Sequence, residues 1–173
     1  AAFTADYDDF ISQQVVGGSF TPMDPAQYQF VNYDAVAIEG VEAKANFRMG
    51  NGFYSRFAIA YAGGDILSPG QAPAPLDTID PLNLVLGIGY RLPQGRFGGE
   101  LIATHHARKP LDETDGGYRP DAFTILDATA FFAVTDALKL RAGIFNIFDE
   151  KYAYWQDVRG LSDTSTTTDA YTR

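Results

Sequence analysis

The chain has 173 residues and a formal charge of −9, with 13 Lys plus Arg against 22 Asp plus Glu. A surface of that sign repels phosphates and argues against a nucleic-acid partner, and without cysteine there is no disulfide framework, thiolate metal site or thiol nucleophile. The length suits one domain, and no run of about 18 apolar residues offers a transmembrane helix, although strands could still cross a bilayer.

In chain order, the first predicted strand covers 2–13 and is followed by a long Pro-, Gly- and Asp-containing segment, 14–34. Strand 35–49 separates its faces most sharply: Val41, Ala43, Ala45, Phe47 and Met49 alternate with Glu42, Lys44, Asn46 and Arg48. Period two is the strand signature. A Gly-Asn-Gly turn around Asn51 leads to strand 52–64, where Phe53, Phe57, Ile59 and Tyr61 oppose Tyr54, Arg56, Ala58 and Ala60. A second long segment, 65–80, precedes strand 81–92, in which Leu82, Leu84, Leu86, Ile88 and Tyr90 alternate with Asn83, Val85, Gly87, Gly89 and Arg91. Pro93 to Gly95 makes the next tight turn, into strand 95–109; then come a long segment, 110–122, strand 123–134, a turn at Thr135 to Ala137, strand 138–148 and a tail, 149–173. No segment has helical periodicity.

Short and long connections alternate strictly. Several structureless loops of more than about a dozen residues are rare in a compact soluble domain, whereas a bacterial outer-membrane barrel has short turns at one rim and long loops at the other. Charge follows the same division: 14 of the 22 acids, with only four basic residues, fall in the four long segments. A β-sandwich shows the same alternation within its strands, but not this asymmetry of loops. The reading is therefore all-β: an antiparallel transmembrane β-barrel. Single-chain bacterial barrels close with an even number of strands, so seven strands and a tail with no returning strand imply a piece of a larger barrel whose final strand is missing. Residues 1–173 are expected to form one partial domain that does not fold alone, because open edges need partners.

The stretch NIFDEKY, Asn146 to Tyr152, resembles an element at the top of the penultimate strand of TonB-dependent outer-membrane receptors, with Asn146, Phe148, Asp149 and Tyr152 at the matching positions. DYDDFI (Asp6 to Ile11), AIEGVEAKANF (Ala37 to Phe47), IDPLNLVLGIGY (Ile79 to Tyr90) and FGGELIATHHARK (Phe97 to Lys109) resemble the family's strands in the same order. The continuation WQDVRGL to DAYTR is similar to the branch that takes up heme, or iron from hemoglobin, transferrin or lactoferrin. The resemblance implies a barrel of about 22 strands with a plugged lumen, of which this chain supplies about seven, without the plug. It further implies an outer-membrane location and three partners: membrane lipid, TonB through an absent amino-terminal region, and a heme- or iron-carrying protein. Heme or an iron chelate is then the transported ligand, with no cofactor bound covalently. The family's upstream heme histidine has no counterpart here. A siderophore or other nutrient receptor of the same fold is the nearest alternative, and a secreted carbohydrate-binding sandwich the alternative from a different class.

Candidate binding residues are few. His105 and His106 are the only histidines; neutral imidazole can ligate iron, but adjacent strand residues point to opposite faces, so both cannot ligate one metal from one side, and ordinary rim positions are favoured. Tyr152, Tyr154 and Trp155 could stack on a flat ligand; a membrane-interface girdle or packing at the loop base is favoured. Asp149 is expected to cap the strand end. DETDGG, Asp112 to Gly117, lacks the acid spacing of a calcium loop, and Gly87 and Gly89 are expected to leave room for a neighbouring side chain. No metal site is expected. Nor is catalysis, since no Ser-His-Asp set and no pair of buried carboxylates is present.

Overall fold

The computed structural model describes residues 1–110 and 116–173. Its strands are β1 (Ala2–Gly17), β2 (Gln27–Arg48), β3 (Phe53–Leu67), β4 (Ala74–Pro75), β5 (Asn83–Arg91), β6 (Phe97–His106), β7 (Phe123–Ala133) and β8 (Lys139–Ile144). They form one antiparallel sheet in the order β1-β2-β3-β5-β6-β7-β8, with β4 beside β3. The strand path is open, with β1 and β8 at its two ends.

Register puts the apolar residues of neighbouring strands side by side on one face. Phe57 pairs with Leu86, Leu86 with Ala103 and Ala103 with Leu126; Ser55, Ile88, Leu101, Ala128 and Ile144 form the adjacent row. Phe47, Phe53, Leu86, Ile88, Leu101, Leu140 and Ile144 are all exposed. An unbroken apolar face of this breadth is unsuited to water and suited to lipid. In β2 the band runs from Val41 to Met49, close to the ~9–11 residues with which a tilted strand crosses a bilayer.

The opposite face is polar and close-fitting. Arg56 Nε donates to Glu100 Oε1 at 2.6 Å, and this pair fits because Gly87 lies beside it: a Cβ there would stand 2.5 Å from the Glu100 oxygen. Gly89 likewise yields its space to the Tyr54 ring. Farther along, the Arg91 guanidinium lies 5.2 Å and the Lys139 ammonium 5.0 Å from the Phe131 ring centroid, each in cation–π contact.

The three tight turns share one end of the sheet. Met49 and Phe53 close the first, with Gly52 at φ 94°. Leu92 and Phe97 close the second, with Gly95 at φ 73°. In the third, the Thr135 hydroxyl accepts from the Ala137 and Leu138 amides.

At the other end the sequence expectations need correction. Residues 14–34 are not a long loop: β1 continues to Gly17 and β2 starts at Gln27, and the pair zips together down to Val41 with one irregularity between Val15 and Gly17. A strand standing in water needs no apolar stripe, so hydrophobic periodicity passed over it. There are eight strands rather than seven, because β4 is a two-residue pairing within the second long segment. The last strand stops at Ile144 rather than 148, because Asn146 leaves the ladder with φ 50°. The tail also contains a one-turn helix, α1 (Trp155–Val158), and a 3-10 turn at Thr168–Tyr171, neither of which has a hydrophobic period to reveal it.

Candidate functional site

The candidate residues meet where β6, β7 and β8 deliver the chain to the long segments. His105 is on the apolar face, in register with Leu84 and Thr124, and its Nδ1 is 2.9 Å from the Thr124 hydroxyl. His106 is on the polar face, paired with Asn83 and Phe123. The His106 ring stacks on Phe123 with centroids 4.9 Å apart and meets Tyr154 edge-on at 5.1 Å; Phe123 stacks on Tyr152 at 4.6 Å. Tyr152 and Tyr154 contact each other at 5.3 Å, and the Arg173 guanidinium lies 5.1 Å above Tyr154. Tyr152 and Tyr154 thus pack on each other and on the rings of Phe123 and His106 at the ends of β6 and β7. Burial, reinforced by Tyr152, raises the Tyr154 phenol above its ordinary pKa.

The turn after β8 sends Tyr152 and Tyr154 back across the sheet. Asn146 donates its amide hydrogen to Asp127 Oδ1 at 2.8 Å, and its side chain both donates to the Glu150 carbonyl at 2.9 Å and accepts from the Glu150 amide at 3.0 Å. Asn tolerates the left-handed region because its short side chain bonds locally. The cap is thus Asn146, and not Asp149, which contributes a second left-handed residue at φ 52° and a backbone N–H that donates to the Asn146 carbonyl at 2.9 Å. Phe148 remains largely exposed.

Trp155 turns away from this cluster into the segment between β3 and β5. Its indole Nε1 donates to the Asp77 carbonyl at 2.6 Å, and Gln156 donates to the Thr78 carbonyl at 3.0 Å. From below, Lys109 donates to the carbonyls of Leu76 at 3.2 Å and Ile79 at 2.7 Å. Burial lowers the Lys109 pKa, with Asp77 and Asp80 acting in the opposite direction. Leu76, Val158 and Leu161 are each at most 1% exposed, and Ala153, Phe20 and Tyr118 complete the packing around Val158 and Leu161. Tyr118 and Leu161 are also joined through the backbone at 2.7 Å. Three of the four long segments therefore meet in one small core, and the fourth is tied to it through the bonds of Trp155 and Gln156 to the Asp77 and Thr78 carbonyls. Of the DETDGG stretch, 112–115 lie outside the described residues; Gly116 accepts from the Asp163 amide and Gly117 pairs with Ser162.

A cavity of about 310 Å³ remains between His106, Phe123, Tyr154, Lys109 and Asp80. It offers imidazole, phenol, ammonium and carboxylate groups beside aromatic faces, a lining for a small polar or flat ligand. No group of three His, Cys, Asp or Glu side chains placed to hold a metal ion occurs among the described residues. Phe123, Lys109 and Asp77 escaped sequence reasoning: Phe123 is simply the first residue of a strand, and the other two act through backbone carbonyls, which leave no side-chain pattern to read.

Comparison with known proteins agrees with this geometry. The family described as "TonB dependent receptor-like, beta-barrel" matches residues 1–147. A hemoglobin and hemoglobin-haptoglobin-binding protein of Haemophilus ducreyi is 25% identical over 95% of this chain and 21% of its own length. A probable hemoglobin and hemoglobin-haptoglobin-binding protein of Haemophilus influenzae is 28% identical over 87% of this chain and 17% of its own length. The chain thus spans about a fifth of these relatives. Among solved structures, the copper transporter OprC superposes with a TM-score of 0.70 at 22% identity, over 88% of this chain and 24% of its own, a likeness of fold alone. The apolar face is accordingly the lipid side of an outer-membrane barrel and the polar face its lumen. The chain belongs to the TonB-dependent receptor-like β-barrel family.

Proposed function

We propose that the intact protein is an outer-membrane receptor that captures a heme- or iron-carrying protein outside the cell and admits heme or iron through its lumen. The observation that carries this reading is the tying of the four long segments into one outer assembly, three through a shared core and the fourth through Trp155 and Gln156, on a barrel wall whose relatives are named for hemoglobin binding. Residues 1–173 supply about seven wall strands and these outer segments; the plug and the TonB contact belong to other parts of the polypeptide. Membrane lipid is the partner of the apolar face. His106, Tyr152, Tyr154 and Trp155 hold the outer segments in place and Asn146, Phe148 and Asp149 shape the turn that delivers them, while His105 is a rim residue. No catalytic step is assigned to the segment.

The test is growth. The intact gene, placed in a heme-requiring Gram-negative host that lacks its own heme receptors, is expected to support growth on hemoglobin only when TonB is present. Growth on a ferric siderophore and not on hemoglobin would overturn the heme reading and leave a siderophore receptor. A binding test settles the histidine: His106→Ala is expected to leave the absorption spectrum of hemin-loaded receptor unchanged.

A further inference from the structure

The lumenal face changes character near the tight turns, which mark the periplasmic rim of such a barrel. Register places Arg48, Tyr54, Gly89, Glu100 and Gly143 in one row and Arg91, Gly98, Phe131 and Arg141 in the next, with Lys139 one step nearer the turns. Three of these positions are glycines, and each gives its space to a ring: a Cβ at Gly89, Gly98 or Gly143 would run into Tyr54, Phe131 or Phe145. The rings therefore lie low against the wall. Two adjoining hollows of about 620 and 530 Å³ open here and share Tyr54, Arg91 and Glu100, sizes within the ~300–1,000 Å³ usual for ligand pockets.

Charge gathers around these rings. Arg48, Arg56, Arg91, Lys139 and Arg141 stand on this part of the face with a single carboxylate, Glu100, which Arg56 already neutralises. Among the described residues no salt bridge reaches the other four cations. Arg91 and Lys139 are held together, 5.2 and 5.0 Å from one Phe131 ring centroid. Like charges grouped without a counterion repel one another, and an anion between them relieves the cost. This surplus is local, since the chain as a whole carries −9.

We propose that this patch is an inner binding station on the lumenal wall, and that it takes a flat aromatic ligand bearing carboxylates on its way to the periplasmic rim. The inference rests on the reading that the intact receptor admits heme or iron, and it chooses between the two. Heme has the required chemistry: its carboxylates match the guanidinium groups of Arg91 and Arg141, and its ring system packs beside Tyr54 and Phe131. A bare ferric ion carries the same sign as the patch and is repelled by it. The outer assembly, with one Lys and one His among its acids and tyrosines, offers no comparable group of cations around its cavity.

The experiment uses the intact receptor in cells that contain TonB, with iron-labelled hemin as the probe and hemoglobin bound at the cell surface as the count of assembled receptor. The double variant Arg91→Gln, Arg141→Gln is expected to slow hemin uptake per receptor about tenfold, the scale on which losing a charged partner acts, and to leave hemoglobin binding unchanged. Arg91→Lys with Arg141→Lys keeps the charge and is expected to stay close to the parent. Arg141 holds no salt bridge among the described residues, so Arg141→Gln alone, with a smaller slowing expected, serves if the double variant does not assemble. Uptake by the Gln variants equal to the parent's would overturn the inner station and leave the receptor reading intact. Slowed uptake accompanied by entry of vancomycin into cells without TonB would mean that the patch seats the plug, and would also overturn it. A parent receptor that takes up no hemin would sink the receptor reading itself, and the station with it.

Discussion

The wall and the outer assembly of this chain are held by different physics. In the wall each strand bonds its neighbour along its length and turns its apolar side chains outward, so little is buried on that face and stability comes from the ladder and the surrounding lipid. In the outer assembly the backbone is irregular, and order comes from a small core around Val158 and Leu161 together with side chains that bond distant carbonyls. One region tolerates water only inside and the other only outside. A substitution that damages one should therefore leave the other standing, and this separation can be tested.

The largest effect is expected from Trp155→Ala, which removes a buried ring and its bond to Asp77. A loss of about 3–5 kcal/mol is typical of such truncations. Hydrogen exchange in the intact receptor should speed up in 76–82 and 149–173 and stay slow in β5 and β6. Acceleration in all of them would mean that wall and assembly unfold as one unit. Leu86→Lys asks the converse question: a lysine near the middle of the apolar face costs about 2–4 kcal/mol in a membrane barrel, so membrane assembly assayed by heat-modifiable mobility should fall. An unaffected yield would place Leu86 away from lipid.

Gly89→Leu is expected to cost about 1–3 kcal/mol through collision with Tyr54 on the lumenal side; Gly89→Leu combined with Tyr54→Ala should recover much of it in thermal melts. Asn146→Ala should cost about 1 kcal/mol, as left-handed strain and a lost local bond do. Asn146→Gly keeps the backbone and loses only the side-chain bonds, so the gap between the two variants, read by protease sensitivity of the tail, reports the strain.

The smallest expected effect is one of pH. Burial holds the Lys109 pKa below its ordinary 10.5, so above that lowered value the unfolded segment binds more protons than the folded one, and stability rises with pH until about 10.5. Tyr33 and Tyr154, whose pKa values are raised by burial, act in the opposite direction above about 10. Exchange protection of 76–82, corrected for the intrinsic rate, should therefore grow modestly as pH is raised towards about 10. Lys109→Met should abolish that slope.

The sequence made the wall legible and the outer assembly nearly opaque, for a physical reason. Lipid on one side and water on the other impose period two on residues such as Val41 to Met49, and tight turns at Asn51 and Gly95 announce themselves through composition. Charge counting also located the acidic end. Residues 14–17 of β1 and 27–34 of β2 passed for loop, because the Pro-, Gly- and Asp-containing stretch between them reads as one long connection. In the tail, Trp155 and Tyr154 stand out in the sequence only as aromatics, and their partners Asp77 and His106 lie far along the chain. Nothing local encodes a pairing that only the folded strands create.

Residues 1–43 contain neither Lys nor Arg. Trypsin-like proteases cut after those two residues only, so the hairpin of β1 and β2 above the apolar band offers them no site. Enzymes that cut after aromatic residues would instead find Tyr28 and Phe30, both exposed in this segment.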